Sequence, residues 1–166
     1  VPRPSHLTHA VDWYLEVLRS LKVPVHFDFP WLPEDSELEA RIRAQLSNHS
    51  RPLIAINPGG RWTNKRWPAA RFAETVRQLA SRNRDTTFVI LGGRDDVALG
   101  SEIQQAAPDR CVNVAGRTTL REMIEWLRAA DLLITNDTGP MHVAAAAGTP
   151  VLALFGPTEP RRTGPY

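Results

Sequence analysis

A single cysteine, Cys111, occurs among 166 residues. That excludes an internal disulfide and leaves no basis for a Cys-rich zinc site. No apolar run approaches the roughly 20 residues that a membrane-spanning helix needs. No signal peptide is visible either: the opening "VPRPSHLTHA" has neither an initiator Met nor an apolar stretch. Because "RRTGPY" also stops without a helix or an obvious cap, we expect a piece of something larger. Charge of one sign is not in excess: 20 basic residues face 18 acidic ones, for a net charge of +2. Nucleic acid is therefore not an expected partner. The phosphate-loop patterns GxxxxGK[ST] and GxGxxG are absent, and so is the GxSxG nucleophile elbow. His6, His9 and His26 form no metal-ligand spacing and no DxD pair occurs, so no metal is expected. What remains is 42% hydrophobic and 23% charged, the composition of one globular domain.

Along the chain, Val11, Tyr14, Leu15, Leu18 and Leu21 fall at helical spacing, with Thr8 as a candidate N-cap. "VHFDFPWLPEDSE" reads as an extended connection, and Pro24, Pro30 and Pro33 lie within or beside it. Leu38, Ile42 and Leu46 predict a short amphipathic helix behind Asp35 or Ser36. From residue 52 the pattern becomes regular. The apolar runs "PLIAIN", "TTFVIL", "CVNVAG", "DLLIT" and "VLALFG" alternate with helical segments, one of which extends to about Ala107. Continuous apolar strands alternating with helices indicate an α/β fold, a Rossmann-like parallel sheet with helices on both faces. The strand order expected is 3-2-1-4-5. Residues 1–50 form the connecting region and residues 51–166 the sheet domain.

Ligands of such sheets bind outside the carboxyl ends of the strands. "NPGGRWTNKRWP", "GGRDD", "AGRTTL" and "NDTGPMH" all lie there. In the first, Gly59 and Gly60 allow close backbone approach, and Arg61, Lys65 and Arg66 suit an anionic group such as a diphosphate. Trp62 and Trp67 flank that loop, to stack on a base or simply to pack. In "GGRDD" a carboxylate can accept from ribose hydroxyls; Asp95 is preferred, though spacing allows Asp96 equally and a helix cap is the structural alternative. In "NDTGPMH", Thr138 or Gly139 caps a helix opened by Pro140, whose free N–H groups and dipole favour an anion. Asp137 at that mouth is a structural acceptor or a ligand contact, and His142 in the first turn is equally open to both. Thr158 and Glu159, in the turn "GPTEP", are within reach of the same crevice.

Together, "NPGGRWTNKRWPAARFAE" and "NDTGPMHVAAAAGTPVLALFGPTEPRRTGPY" closely resemble the signature segments of the heptosyltransferases, glycosyltransferase family 9. The intervening "AGRTTLREMIEWLRAADLLIT" fits too. The resemblance covers roughly residues 52 to 166 and implies the C-terminal, donor-binding half of a GT-B enzyme. It implies inverting, metal-independent transfer of heptose from ADP-heptose to the lipopolysaccharide inner core, with no cofactor. By motif, Lys65 would hold the diphosphate, with Gly60 and Arg61 beside it, and Asp95 the ribose. Gly139 and His142 would meet the phosphates, Thr138 beside them, and Asp137 the sugar hydroxyls. Gly116, Thr118 and Leu120 would form the base pocket. No residue of this chain is expected to be catalytic; the base would lie in an N-terminal half that also selects the acceptor. The resemblance further implies a cytoplasmic protein at the inner face of a Gram-negative inner membrane, with peripheral membrane contact open to the longer protein. A GT-B-like sugar-nucleotide epimerase and a non-catalytic nucleotide-binding module are the alternative functions.

Overall fold

The computed structural model describes residues 1–26 and 32–166. Part of the extended connection expected after the first helix, residues 27–31, including Pro30, lies outside them. Five strands form one sheet: β1 (Leu53–Asn57), β2 (Thr87–Ile90), β3 (Cys111–Asn113), β4 (Leu132–Asn136) and β5 (Val151–Leu154). All four pairings are parallel, as the alternation of strands and helices predicted, and the order is the expected β3-β2-β1-β4-β5.

Successive residues of the central strand serve opposite faces, as the pleat requires. Ile54 and Ile56 join Phe72 and Val76 of α3 (Ala69–Arg82) and Ile103 of α4 (Val97–Gln104) in one core. Leu53 and Ala55 join Trp126 and Leu127 of α5 (Leu120–Ala129) and Ala144 of α6 (Gly139–Ala146) in the other. Helices therefore cover both faces. Ile42 of α2 (Ser36–Leu46) is only 3% exposed within this second core. Although α2 precedes residue 51 in sequence, it is packed on the sheet domain through α5.

Local chemistry sets the helix ends. Thr119 and Glu122 form a reciprocal capping box at the start of α5. Asp35 rather than Ser36 caps α2, accepting from Leu38 N at 3.1 Å. The first helix, α1 (Ala10–Ser20), is capped by His9 and not by Thr8. Thr8 Oγ1 is taken up by Ser5 N at 3.0 Å, leaving His9 Nδ1 to accept from Val11 N at 3.2 Å. α4 stops at Gln104 and not near Ala107. Pro108 opens a separate 3₁₀ turn, and the residue before a proline is disfavoured in a helix. The chain end expected to lack a helix carries a single turn, α7 (Pro160–Thr163), capped by Glu159. Cys111 is 8% exposed, and burial pushes its thiol up to about 11, so it is an unreactive core residue.

Candidate functional site

The loops at the carboxyl edge of the sheet enclose a cleft of about 450 Å³. Gly60, Arg61 and Arg66 line it from the loop after β1, Asp95 from the loop after β2, Thr118 from the loop before α5, and Thr138 from the mouth of α6. A second cavity of about 280 Å³ adjoins it, sharing Arg94 and Thr118 and adding Gly116. Gly116 has φ +73°, and a Cβ there would come within 2.5 Å of Val97 Cγ2, so the position requires glycine. Leu120 is 65% exposed and lines neither cavity, unlike its sequence neighbour Thr118.

The two adjacent aspartates have separate tasks. Asp96 Oδ2 accepts from Gly93 N at 2.9 Å and closes the 3₁₀ turn Arg94–Asp96. A Cβ on Gly59 would collide with that carboxylate at 2.2 Å, so glycine there makes room for Asp96. Asp95 is exposed on the cleft wall and has no side-chain hydrogen bond among the described residues. Both aspartates line the cleft; among the described residues Asp95 has both carboxylate oxygens free of protein donors, whereas Asp96 has one of its two committed to Gly93 N.

On the cationic side, Arg66 Nε donates to Gly60 O at 2.6 Å, which fixes the guanidinium over the glycine loop. Arg61 lies 6.0 Å from the Trp62 ring, and both residues are exposed. Trp67 packs edge-on against Phe72 with ring centroids 5.1 Å apart, which is the packing alternative for that residue. Thr138 caps α6 without a side-chain bond, and no atom stands within 4 Å of where a Gly139 Cβ would be. Pro140 has no N–H and Met141 N donates to Thr138 O at 3.1 Å, so the N–H of Gly139 and the helix dipole are what α6 offers an anion.

Lys65, Asp137 and His142 lie beside the cleft rather than on its wall. Lys65 Nζ donates to Asp137 Oδ2 at 2.7 Å, and Thr158 Oγ1 donates to the same oxygen at 2.6 Å. The Asp137 side chain is 6% exposed and that of Lys65 24%. Burial pushes the Asp137 carboxyl up, but the bonds from Lys65 and Thr158 and the charges of Lys65 and His142 outweigh it, leaving it below its ordinary range. His142 is held below the usual imidazole range by crowding of its ring against protein atoms, only partly offset by Asp137, with His9 adding to the depression. Glu159, expected near this crevice, instead caps α7 and pairs with Arg161 at 3.1 Å.

A depressed folded-state carboxylate contributes stability that is present above the ordinary carboxylate range and lost as pH falls through the lowered value. Asp137→Asn should accordingly flatten the acid limb of stability below about pH 4. Urea melts at stepped pH, compared with the unsubstituted chain, check this.

Sequence reasoning missed the buried residue that holds these loops together. Asn136, at the end of β4, donates through Nδ2 to Pro58 O at 2.8 Å and to Gly59 O at 3.2 Å. Its Oδ1 accepts from Trp67 N at 2.9 Å. One side chain therefore ties both ends of the basic loop to the centre of the sheet. Beneath it, Asn57 Nδ2 donates to Thr135 Oγ1 at 3.1 Å across paired strand ends. An asparagine ending each of two apolar strands was the available signal.

A five-stranded parallel sheet with helices on both faces and a cleft at its carboxyl edge defines an α/β domain of the Rossmann-like type. Comparison with known proteins makes the class specific. Residues 2–166 match glycosyltransferase family 9 (heptosyltransferase), and the chain belongs to that family. It is 38% identical over 120 residues to lipooligosaccharide heptosyltransferase 2 of Haemophilus influenzae, covering 69% of this chain and 34% of that protein. Among solved structures, a family 9 glycosyltransferase from Veillonella parvula superposes with a TM-score of 0.84 at 30% identity, over 96% of this chain and 47% of that one. ADP-heptose LPS heptosyltransferase II of E. coli gives a TM-score of 0.75 at 33% identity, over 88% of this chain and 45% of that one. The chain thus spans less than half the length of these relatives. Among the described residues no helix is long and apolar enough to cross a membrane, and no cluster of His, Cys, Asp or Glu could hold a metal ion.

Proposed function

We propose that this chain is the donor-binding half of an inverting heptosyltransferase that takes ADP-heptose and serves the lipopolysaccharide inner core. The observation that carries this is the cleft at the carboxyl edge, where Arg61, Arg66 and the open N-terminus of α6 converge opposite the free carboxylate of Asp95. The diphosphate lies between Arg66 and Gly139, and Asp95 accepts from the ribose. The base enters the adjoining cavity beside Gly116 and Thr118. Lys65 commits one of its three N–H donors to Asp137 and has two left for phosphate oxygens. His142, one turn into α6, hydrogen-bonds a phosphate oxygen.

In this reading residues 51–166 hold the donor and residues 1–50 lead toward the acceptor half. That half supplies the base that deprotonates the acceptor hydroxyl, which then attacks the anomeric carbon from the face opposite ADP. Arg66, Lys65 and the α6 dipole stabilise the charge growing on the leaving diphosphate. The reaction needs no metal, and the protein works in the cytoplasm at the inner face of the inner membrane.

Calorimetry of the 166-residue chain tests the donor site. ADP should bind at least about tenfold, and up to about 10²-fold, more tightly than AMP, because the β-phosphate makes a charge-assisted contact of about 1.5–3 kcal/mol. Added chelator should not change the ratio. Equal affinities for the two nucleotides would remove the diphosphate placement. Turnover of a sugar nucleotide without acceptor, by the longer protein, would favour an epimerase instead.

A further inference from the structure

Thr158 stands in the turn between β5 and α7, 21 positions beyond the carboxylate it touches. Its hydroxyl and the Lys65 ammonium both donate to Asp137 Oδ2, at 2.6 and 2.7 Å, approaching from different loops. Asp137 Oδ1 accepts nothing among the described residues. Nor is it sealed off, because the one buried side-chain polar atom without a partner there is Arg3 Nε. The two turns run side by side: a Cβ on Gly156 would stand 3.6 Å from Asn64 O. Two donors on one oxygen fix the rotation of a carboxylate, whereas a lysine alone, on a flexible four-carbon stem, does not.

Resting on the donor-site reading above, we propose that Thr158 is a positioning residue that locks Asp137 so that Oδ1 is presented to a hydroxyl of the transferred sugar. Thr158 itself touches neither nucleotide nor sugar. The division of labour places both protein donors on one oxygen and the ligand's donor on the other. It also explains why a half-buried threonine lies in a turn that the nucleotide cleft does not use. A ligand with the nucleotide but without the sugar has nothing to gain from Oδ1, so the effect of Thr158 separates the two.

The test titrates the 166-residue chain with ADP and with ADP-heptose, as the unsubstituted protein and as Thr158→Val and Thr158→Ser. Valine keeps the volume and removes the hydroxyl; serine restores it. Thr158→Val should weaken ADP-heptose about tenfold while ADP stays within about twofold, and Thr158→Ser should return ADP-heptose to within about twofold. Equal losses for both ligands in Thr158→Val, or no rescue by serine, would overturn the inference while leaving the donor site standing. Failure of the unsubstituted chain to bind ADP would overturn the donor site and this inference with it.

Discussion

Asn136→Ala should lower the melting temperature by about 10 °C and weaken ADP at least about tenfold. The substitution removes three hydrogen bonds at once and leaves the carbonyls of Pro58 and Gly59, both buried, facing a small cavity. Each buried polar group left without a partner costs about 1–3 kcal/mol, so the total reaches about 3–5 kcal/mol. At about 2–4 °C per kcal/mol for a domain of this size, that gives the expected shift. The affinity loss has a separate cause. Gly59, Gly60, Arg61 and Arg66 line the cleft, and without their tie to β4 the loop must be ordered as the ligand binds. Asn136→Asp distinguishes packing from hydrogen bonding. It keeps the volume and the acceptor for Trp67 N, but sets a carboxylate oxygen against two carbonyls. It should be no better than alanine at neutral pH. Melting within about 2 °C of the unsubstituted chain, with ADP affinity unchanged, would show that Asn136 does not hold the loop.

The same residue shows what the sequence could and could not reveal. The parallel sheet followed from apolar runs such as "PLIAIN" alternating with helical segments, because burial on both faces leaves no polar positions in a strand. Thr118, Thr138 and Asp95 were placed at the cleft for the same reason: they follow strand ends. Asn136 carried a weak signal at best, because an asparagine after an apolar run reads as a turn former, and only tertiary proximity makes it a clamp across 69 to 78 positions. Choosing between Asp95 and Asp96 was likewise beyond spacing. Adjacent residues differ by the direction of a 3₁₀ turn, which sends Asp96 back to Gly93 N. The four residues of α7 are too few to show a helical period, so the capping role of Glu159 could not be read. The Lys65–Asp137 pair, 72 positions apart, joins residues that the signature segments gave to different parts of the ligand.

That pair makes the two residues interdependent, and a double-substitution cycle should expose it. Lys65→Ala removes a diphosphate contact and also strands a carboxylate that is 6% exposed, held then by Thr158 alone. The stranded charge repels the phosphates, so ADP should weaken about 10²-fold, near the upper end of the range of about 1.5–3 kcal/mol for one charged hydrogen bond. Asp137→Ala has the opposite sign: it frees the third Lys65 donor, and ADP affinity should hold or rise slightly. Combined with Lys65→Ala, it should recover ADP binding to about tenfold below the unsubstituted chain, because the repulsion leaves with the carboxylate. Stability should follow the burial asymmetry. Removing Lys65 abandons the more buried partner, whereas removing Asp137 leaves a lysine that can extend its ammonium to water. Lys65→Ala should therefore melt at the lower temperature of the two. Sugar recognition should reverse the ranking. Asp137→Ala should abolish the preference for ADP-heptose over ADP and, in the longer protein, cost about 10²-fold in turnover through lost alignment of the anomeric carbon. Strict additivity in the cycle would show that the ion pair does not couple the two sites. If Asp137→Ala abolished ADP binding in a folded chain, the carboxylate would be organising the phosphate site, and its contact with the sugar would have to be given up.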